Sequence, residues 1–159
     1  MRKHAVIQTA IWSDPDFLAR TPAAQRIYLL ALSQPNLSYA GVVDYTPRRW
    51  ALLSAGDSIG KVRRAVHELI DTRFVVVDET TEELLVRSLV RHDRVLRSPN
   101  ITKALVGDIA RIQSSSIRDA LVDELLRHRD ETSDNAAYTT GWSTIGPLLD
   151  EYLREAVPA

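Results

Sequence analysis

The sequence predicts a mainly α-helical protein with one small β-hairpin. Three observations lead to this fold class. Apolar residues recur at helical spacing through most of the chain. Several of these segments open on a capping residue followed by proline, a pair typical of helix starts. Runs rich in β-branched residues are short and confined to residues 42–45, 74–78 and 83–90.

Composition limits the class of protein. The 159 residues allow one domain, or one small domain with an appendage, and 45% hydrophobic residues allow a real core. No apolar run has the length of a membrane span, and the N-terminus has no signal-peptide core. The absence of cysteine excludes disulfides and thiolate metal sites. We therefore expect a cytoplasmic protein without a membrane partner.

Charge is unevenly distributed along the chain, although the net charge is only −1. Residues 46–103 hold eleven basic and eight acidic side chains, whereas residues 104–159 hold five basic and ten acidic ones. A polyanion should therefore bind to the middle of the chain rather than to its C-terminal third.

The first third of the chain predicts one helix and one strand around short connections. Residues 1–12 have short-strand or extended character, and Ser13-Asp14-Pro15 opens a turn. A core helix is predicted over about 22–34, ending before Pro35. A turn glycine and β-branched residues predict a short strand over 41–45.

Two helices joined by a tight turn should follow this strand. Thr46 is a capping candidate for a first helix over about 47–53. Gly56 can adopt the positive φ of a turn, and Asp57 or Ser58 can cap the second helix.

The second helix has an apolar stripe and an opposite basic face. The stripe comprises Ile59, Val62, Val66, Leu69 and Ile70. The opposite face comprises Gly60, Lys61, Arg64, His67, Glu68 and Asp71, with Arg63 at the border. Its cations come first and its acids later, as suits a helix whose start enters a groove of DNA. We therefore predict a helix-turn-helix with residues 58–67 as the reading segment.

Two other interpretations apply to the same stretch. A phosphate-binding loop is excluded because Ala55 and Val62 stand where that motif needs glycine and serine or threonine. An ordinary helical hairpin with a solvated face stays open on these two helices alone.

A hairpin follows directly, with strands over 73–78 and 83–90 and a polar turn between them. The order helix, strand, helix, helix, hairpin resembles the winged helix-turn-helix fold across about residues 20–92. The hairpin tip is acidic, which repels phosphates. Either the tip points away from DNA, or only Arg87 and Arg91 reach the backbone, or the hairpin merely completes the sheet.

The remainder divides into a basic linker and a helical extension. Residues 91–97 contain three arginines, which suit either phosphate contacts or a solvated connection. Helices are predicted from Ser98-Pro99, over 117–129 and over 144–156. We assign residues 1–97 to a DNA-binding domain and 98–159 to an acidic extension, which either packs back on the chain or forms a homodimer.

No catalytic pattern is present. Histidines at positions 4, 67, 92 and 128 are scattered, and no metal-binding, nucleophile or dinucleotide motif occurs. We expect a protein that is not an enzyme and needs neither cofactor nor metal.

The first half resembles winged-helix proteins of phages and mobile elements, particularly replication initiators of the replisome-organiser kind. The shared features are Trp12, Asp14 and Phe17, then Ala24-Gln25-Arg26, then Gly41 before the strand. The resemblance covers roughly residues 10–92. It implies binding to origin DNA, whereas residues 98–159 match no partner-recruiting motif of that family.

We thus expect a protein that binds double-stranded DNA sequence-specifically and acts in replication initiation or transcriptional control. A replication or transcription protein is expected as a further partner. The expected contact residues are Arg48, Arg49, Ser58, Gly60, Lys61, Arg63, Arg64, His67, Arg87 and Arg91. Lys61, Arg64 and His67 should face base edges. The alternative is a winged-helix protein-interaction module, an adaptor or inhibitor of a host machine with little DNA affinity.

Overall fold

The computed structural model describes residues 3–92 and 95–156. The helices are α1 (Pro15–Leu18), α2 (Pro22–Leu32), α3 (Pro47–Ala51), α4 (Ile59–Asp71), α5 (Leu89–His92), α6 (Pro99–Arg111), α7 (Ser115–Glu131) and α8 (Thr139–Ala156). The strands are β1 (Val42–Asp44), β2 (Val75–Asp78) and β3 (Glu83–Val86). Short 3₁₀ helices span Thr9–Ser13, Val95–Arg97 and Ala136–Tyr138. The predicted class, mainly helical with a small antiparallel β component, is confirmed.

The three strands form one antiparallel sheet in the order β1-β3-β2. Val43 of β1 lies opposite Leu84, and Val76 of β2 lies opposite Leu85. The central strand is buried on both faces, because Leu84, Leu85 and Val86 are all inaccessible to solvent.

Two hydrophobic cores lie on opposite faces of this sheet. Leu84 and Val86 belong to the first core, which is built by α1–α4, and Leu85 belongs to the second. The second core takes its side chains mainly from α6, α7 and α8, and α7 contacts β2 and β3. The extension therefore packs on the sheet of its own chain, which was one of its two predicted roles. The homodimer stays a prediction.

Side-chain caps set the helix starts that matter most for the site. The Thr21 hydroxyl accepts a hydrogen bond from the Ala24 amide at the start of α2, and Ser58 accepts one from the Lys61 amide at the start of α4. Thr46 occupies the capping position of α3 without a side-chain hydrogen bond. These caps agree with the predicted helix starts, although α3 ends at Ala51 rather than at 53.

Other predicted elements also differ from the structure in extent or type. Residues 9–13 form a 3₁₀ helix, and no strand occurs in residues 3–12; residues 1 and 2 lie outside the described part. The return strand ends at Val86 because its partner there, Val75, is the first residue of β2. Residues 89–92 instead form α5, and α8 starts at Thr139, with Pro147 inside it.

Candidate nucleic-acid interface

The outer face of α4 carries the predicted contact residues. Val62, Val66 and Leu69 point into the first core, so the helical repeat turns Gly60, Arg64 and His67 outward. Arg63 and Lys61 flank this face on its two sides. Ser58, Gly60 and all four cationic or imidazole side chains just named are exposed.

Helix α3 places two further arginines on the surface. Trp50 is buried and packs edge-on against the Tyr45 ring at 5.9 Å, which fixes the orientation of this short helix. Arg48 and Arg49 precede that anchor and are both exposed.

Two of the acids beside these cations, Asp57 and Glu68, are engaged in structural contacts, whereas Asp71 at the C-terminal end of α4 is exposed. Asp57 forms an ion pair with Arg26 of α2 and accepts a hydrogen bond from the Ser58 amide at 2.9 Å. Glu68 accepts hydrogen bonds from the Thr21 hydroxyl at 2.6 Å and the Thr21 amide at 2.9 Å. These bonds lower the pKa of Glu68 below its ordinary value.

Most of the cations have no such partner. Within residues 3–92 and 95–156, no carboxylate forms an ion pair with Arg48, Arg49, Arg63 or Arg64. The Lys61 ammonium donates a hydrogen bond to the Gly56 carbonyl at 2.7 Å, which ties α4 to the turn before it. The surface therefore presents positive charge that its own acids do not neutralise.

Arg87 and Arg91 have a different role from the predicted contact with the DNA backbone. Nε and Nη2 of Arg87 lie 2.9 and 2.8 Å from Oε1 of Glu124, and Nε of Arg91 lies 3.2 Å from Oε2. Glu124 belongs to α7 and is only 1% exposed. Because a buried carboxylate needs cationic partners, these two arginines are held within the protein.

The sequence contained a signal for this ion pair. Glu124 lies at helical spacing from Ile117, Leu121 and His128, all of which are buried on α7. An acid within an apolar stripe indicates a buried partner of opposite charge, but not which arginines supply it.

The predicted basic linker is also partly engaged. Arg91 pairs with Glu124 as described, and the Arg97 guanidinium lies 5.9 Å from the centre of the Tyr138 ring. Arg94 lies outside the described residues. For Arg91 and Arg97 the structure thus shows contacts within the chain.

The hairpin tip is less available for contacts than its composition indicates. Glu83 accepts hydrogen bonds from the amides of Gln113 and Ser114 before α7, at 3.0 and 2.8 Å. Asp78 accepts bonds from the Thr80 and Thr81 amides within the turn. Glu79 and Glu82 remain exposed and give the tip its negative charge.

Sequence reasoning missed two features of this surface. Leu52 and Leu53 are 86% and 58% exposed in the connection from α3 to α4, and Ile59 is 39% exposed at the first position of α4. A groove of about 440 Å³ also separates α2 from α4, with Arg26, Lys61 and Arg64 among its lining residues.

The histidines do not form a reactive cluster. His67 is exposed on α4, whereas His128 is buried against the rings of Tyr138 and Trp142 at 5.1 and 5.6 Å. Burial lowers the pKa of His128, because desolvation disfavours the charged form of the ring. No group of three potential metal ligands occurs within residues 3–92 and 95–156.

In the described part of the chain, every helix is too short or too polar to cross a membrane. Comparison with protein-family models, with curated proteins and with solved structures finds no match for this chain.

Proposed function

We propose that this chain is a winged helix-turn-helix protein that binds double-stranded DNA through α4. The element order helix, strand, helix, helix, hairpin and the strand order β1-β3-β2 support this fold. The single observation that carries the function is the surface of α3 and α4, where arginines lack acidic partners while Asp57 and Glu68 are engaged elsewhere.

Each exposed group has a proposed part in binding. Arg64 and His67 face base edges, with Lys61 beside them. Arg64 can recognise guanine by donating hydrogen bonds to the two acceptor atoms on its major-groove edge. Ser58 and Gly60 let the backbone approach the groove. Arg48, Arg49 and Arg63 bind phosphates and set the register on the duplex.

A salt titration tests this function. Affinity of the full chain for a labelled duplex should fall steeply with salt, with a log–log slope of about −0.9 for each phosphate neutralised. Arg64→Ala should cost about 1–3 kcal/mol at the preferred site and relax its specificity, whereas Arg48→Ala should weaken all duplexes alike.

Arg154→Ala supplies the control, because Arg154 is an exposed cation on α8, far along the chain from the proposed surface. It should leave the titration unchanged. Equal losses for cognate and random duplexes with both Arg64→Ala and Arg48→Ala would contradict the assigned roles.

We further propose that the protein acts in replication initiation or transcriptional control, with a replication or transcription protein as a second partner. Selection of bound sequences from a random duplex pool tests this step. A palindromic site together with a doubled molar mass in solution would support a homodimer, and a single asymmetric site bound by one copy would contradict it.

A second candidate function is a protein-interaction module. The exposed acids Glu79 and Glu82 at the hairpin tip favour it, because they would repel a nearby phosphate backbone. This candidate predicts little duplex affinity at physiological salt, so the same titration separates the two functions.

A further inference from the structure

Three large aliphatic side chains are exposed in the connection from α3 to α4 and at the first residue of α4. We call Leu52, Leu53 and Ile59 the aliphatic tip; their exposed fractions are 86%, 58% and 39%. Their neighbours Trp50 and Val62 are each 1% exposed, so the core positions of this segment are already filled. Exposed aliphatic side chains at both ends of one short connection suit a contact surface.

The charges around the aliphatic tip favour an occupant that is negative at its edges. Arg48 and Arg49 precede the tip along the chain, and Arg63 and Arg64 follow it. Asp57, the acid between them, is paired with Arg26. A binding partner should therefore combine apolar contact at the centre with negative charge on both sides.

The major groove of DNA has this combination. Phosphates line both edges of the groove, and the 5-methyl group of thymine is an apolar group on its floor. The tip itself contains no aromatic residue or methionine, which are enriched at protein interfaces, and the flanking arginines match the phosphates that line the groove. Ile59 is also the first residue of α4, the end of a reading helix that enters the groove.

We propose that the aliphatic tip reads thymine methyl groups, so that the preferred duplex has thymine at defined positions beside the bases read by Arg64. This inference rests on the proposed DNA-binding function and adds the chemical feature of the DNA that is recognised. Ile59 contacts a methyl group from the start of α4, and Leu52 and Leu53 contact the adjacent methyl groups or sugars.

Deoxyuridine substitution tests the proposal, because it removes only the methyl group and leaves charge and base pairing unchanged. The probe is the duplex recovered by the full chain from a random pool, with each thymine replaced in turn. At one or two positions the affinity of the unaltered protein should fall about fourfold, the effect of one lost methyl contact. Ile59→Ala should bind the thymine and deoxyuridine duplexes equally.

Two further variants keep the experiment decisive. Leu52→Ser changes a side chain that is 86% exposed, so it should fold normally and still lose discrimination at a neighbouring thymine. Leu153→Ala is the matched control, because Leu153 of α8 is 38% exposed, almost the same as Ile59. It should discriminate as the unaltered protein does.

The outcomes separate this inference from the function on which it rests. Salt-dependent duplex binding with equal affinity for thymine and deoxyuridine at every position would overturn the inference and leave the proposed function standing. Failure to bind or select any duplex would overturn both. Unchanged duplex affinity in Leu52→Ser and Ile59→Ala would show that the tip does not contact the duplex and would also overturn the inference.

Discussion

Replacing Gly60 by alanine should make the protein more stable and at the same time a weaker binder of DNA. Gly60 lies on the outer face of α4, without a positive φ. A Cβ built there would lie 3.8 Å from Nη1 of Arg64 and 4.0 Å from Oγ of Ser58, which is ordinary van der Waals contact. Alanine therefore fits the free protein without strain.

The gain in stability follows from the unfolded chain. Alanine has less backbone freedom to lose than glycine, so Gly60→Ala should raise the free energy of unfolding by about 0.5–1 kcal/mol. For a chain of this length the melting temperature should rise by about 1–4 °C. In the proposed complex the added methyl group stands between the α4 backbone and the groove. Duplex affinity should then fall about tenfold, equivalent to roughly 1.4 kcal/mol.

Thermal unfolding by circular dichroism and duplex binding by fluorescence anisotropy measure the two effects on one preparation. Gly107→Ala is the matched control, because Gly107 lies inside α6 and a Cβ there meets no atom of the described residues within 4 Å. It should show the same stabilisation with unchanged affinity. A stabilised Gly60→Ala protein that binds duplex as tightly as the unaltered chain would refute the close approach of α4 to DNA.

Three further substitutions test the contacts that position the candidate site. Glu124→Gln should lower the free energy of unfolding by about 3 kcal/mol in urea denaturation, because it removes the buried charge with which Arg87 and Arg91 pair. Glu68→Gln should cost about 1 kcal/mol at pH 7 by weakening the bonds from Thr21. The pKa of Glu68 is lowered in the folded state. The difference in free energy of unfolding between the unaltered protein and Glu68→Gln should therefore have its full size above the ordinary pKa of 4.5. It should disappear as the pH falls through the pKa of Glu68 in the folded protein. Gly141→Ala should destabilise the protein by about 1–3 kcal/mol in thermal unfolding, because its Cβ would overlap the Leu96 carbonyl oxygen.

Controls for these three variants come from exposed or uncrowded positions. Glu151→Gln changes an exposed acid of α8, and Gly146→Ala adds a methyl group to the same helix where no described atom is within 4 Å. Glu151→Gln should stay close to the unaltered protein, and Gly146→Ala should be no less stable than it, because alanine has less backbone freedom to lose than glycine. If Glu124→Gln is no less stable than Glu151→Gln, the Glu124 pairs contribute little. If the loss of free energy of unfolding in Glu68→Gln is constant from pH 7 to pH 3, the charge of Glu68 does not cause it.

The elements that local signals specify were predictable. Thr21-Pro22 and Ser58 mark the starts of α2 and α4, and the spacing of Val62, Val66 and Leu69 identifies the buried side of α4. The exposure of Arg64 follows from that spacing. These features depend on residues within one or two helical turns of each other, which a sequence displays directly.

The features that the sequence did not yield depend on distant residues. β3 was predicted as a hairpin strand, but the burial of Leu85 by helices that follow it in the chain was not predicted. Arg87 was expected to bind phosphate, but its partner Glu124 lies 37 residues away. Whether an arginine faces solvent or a buried acid is decided by tertiary packing, which periodicity within one element does not report.

The central strand of the sheet links the two hydrophobic cores. Because consecutive side chains of β3 enter different cores, loss of the second core would expose one face of a strand on which the first core is built. A fragment ending at residue 97 would expose Leu85 and leave Arg87 without its carboxylate, so it would be prone to aggregate. The acidic C-terminal third thus covers the second face of the sheet, and tests of the proposed DNA binding by α4 require the intact protein.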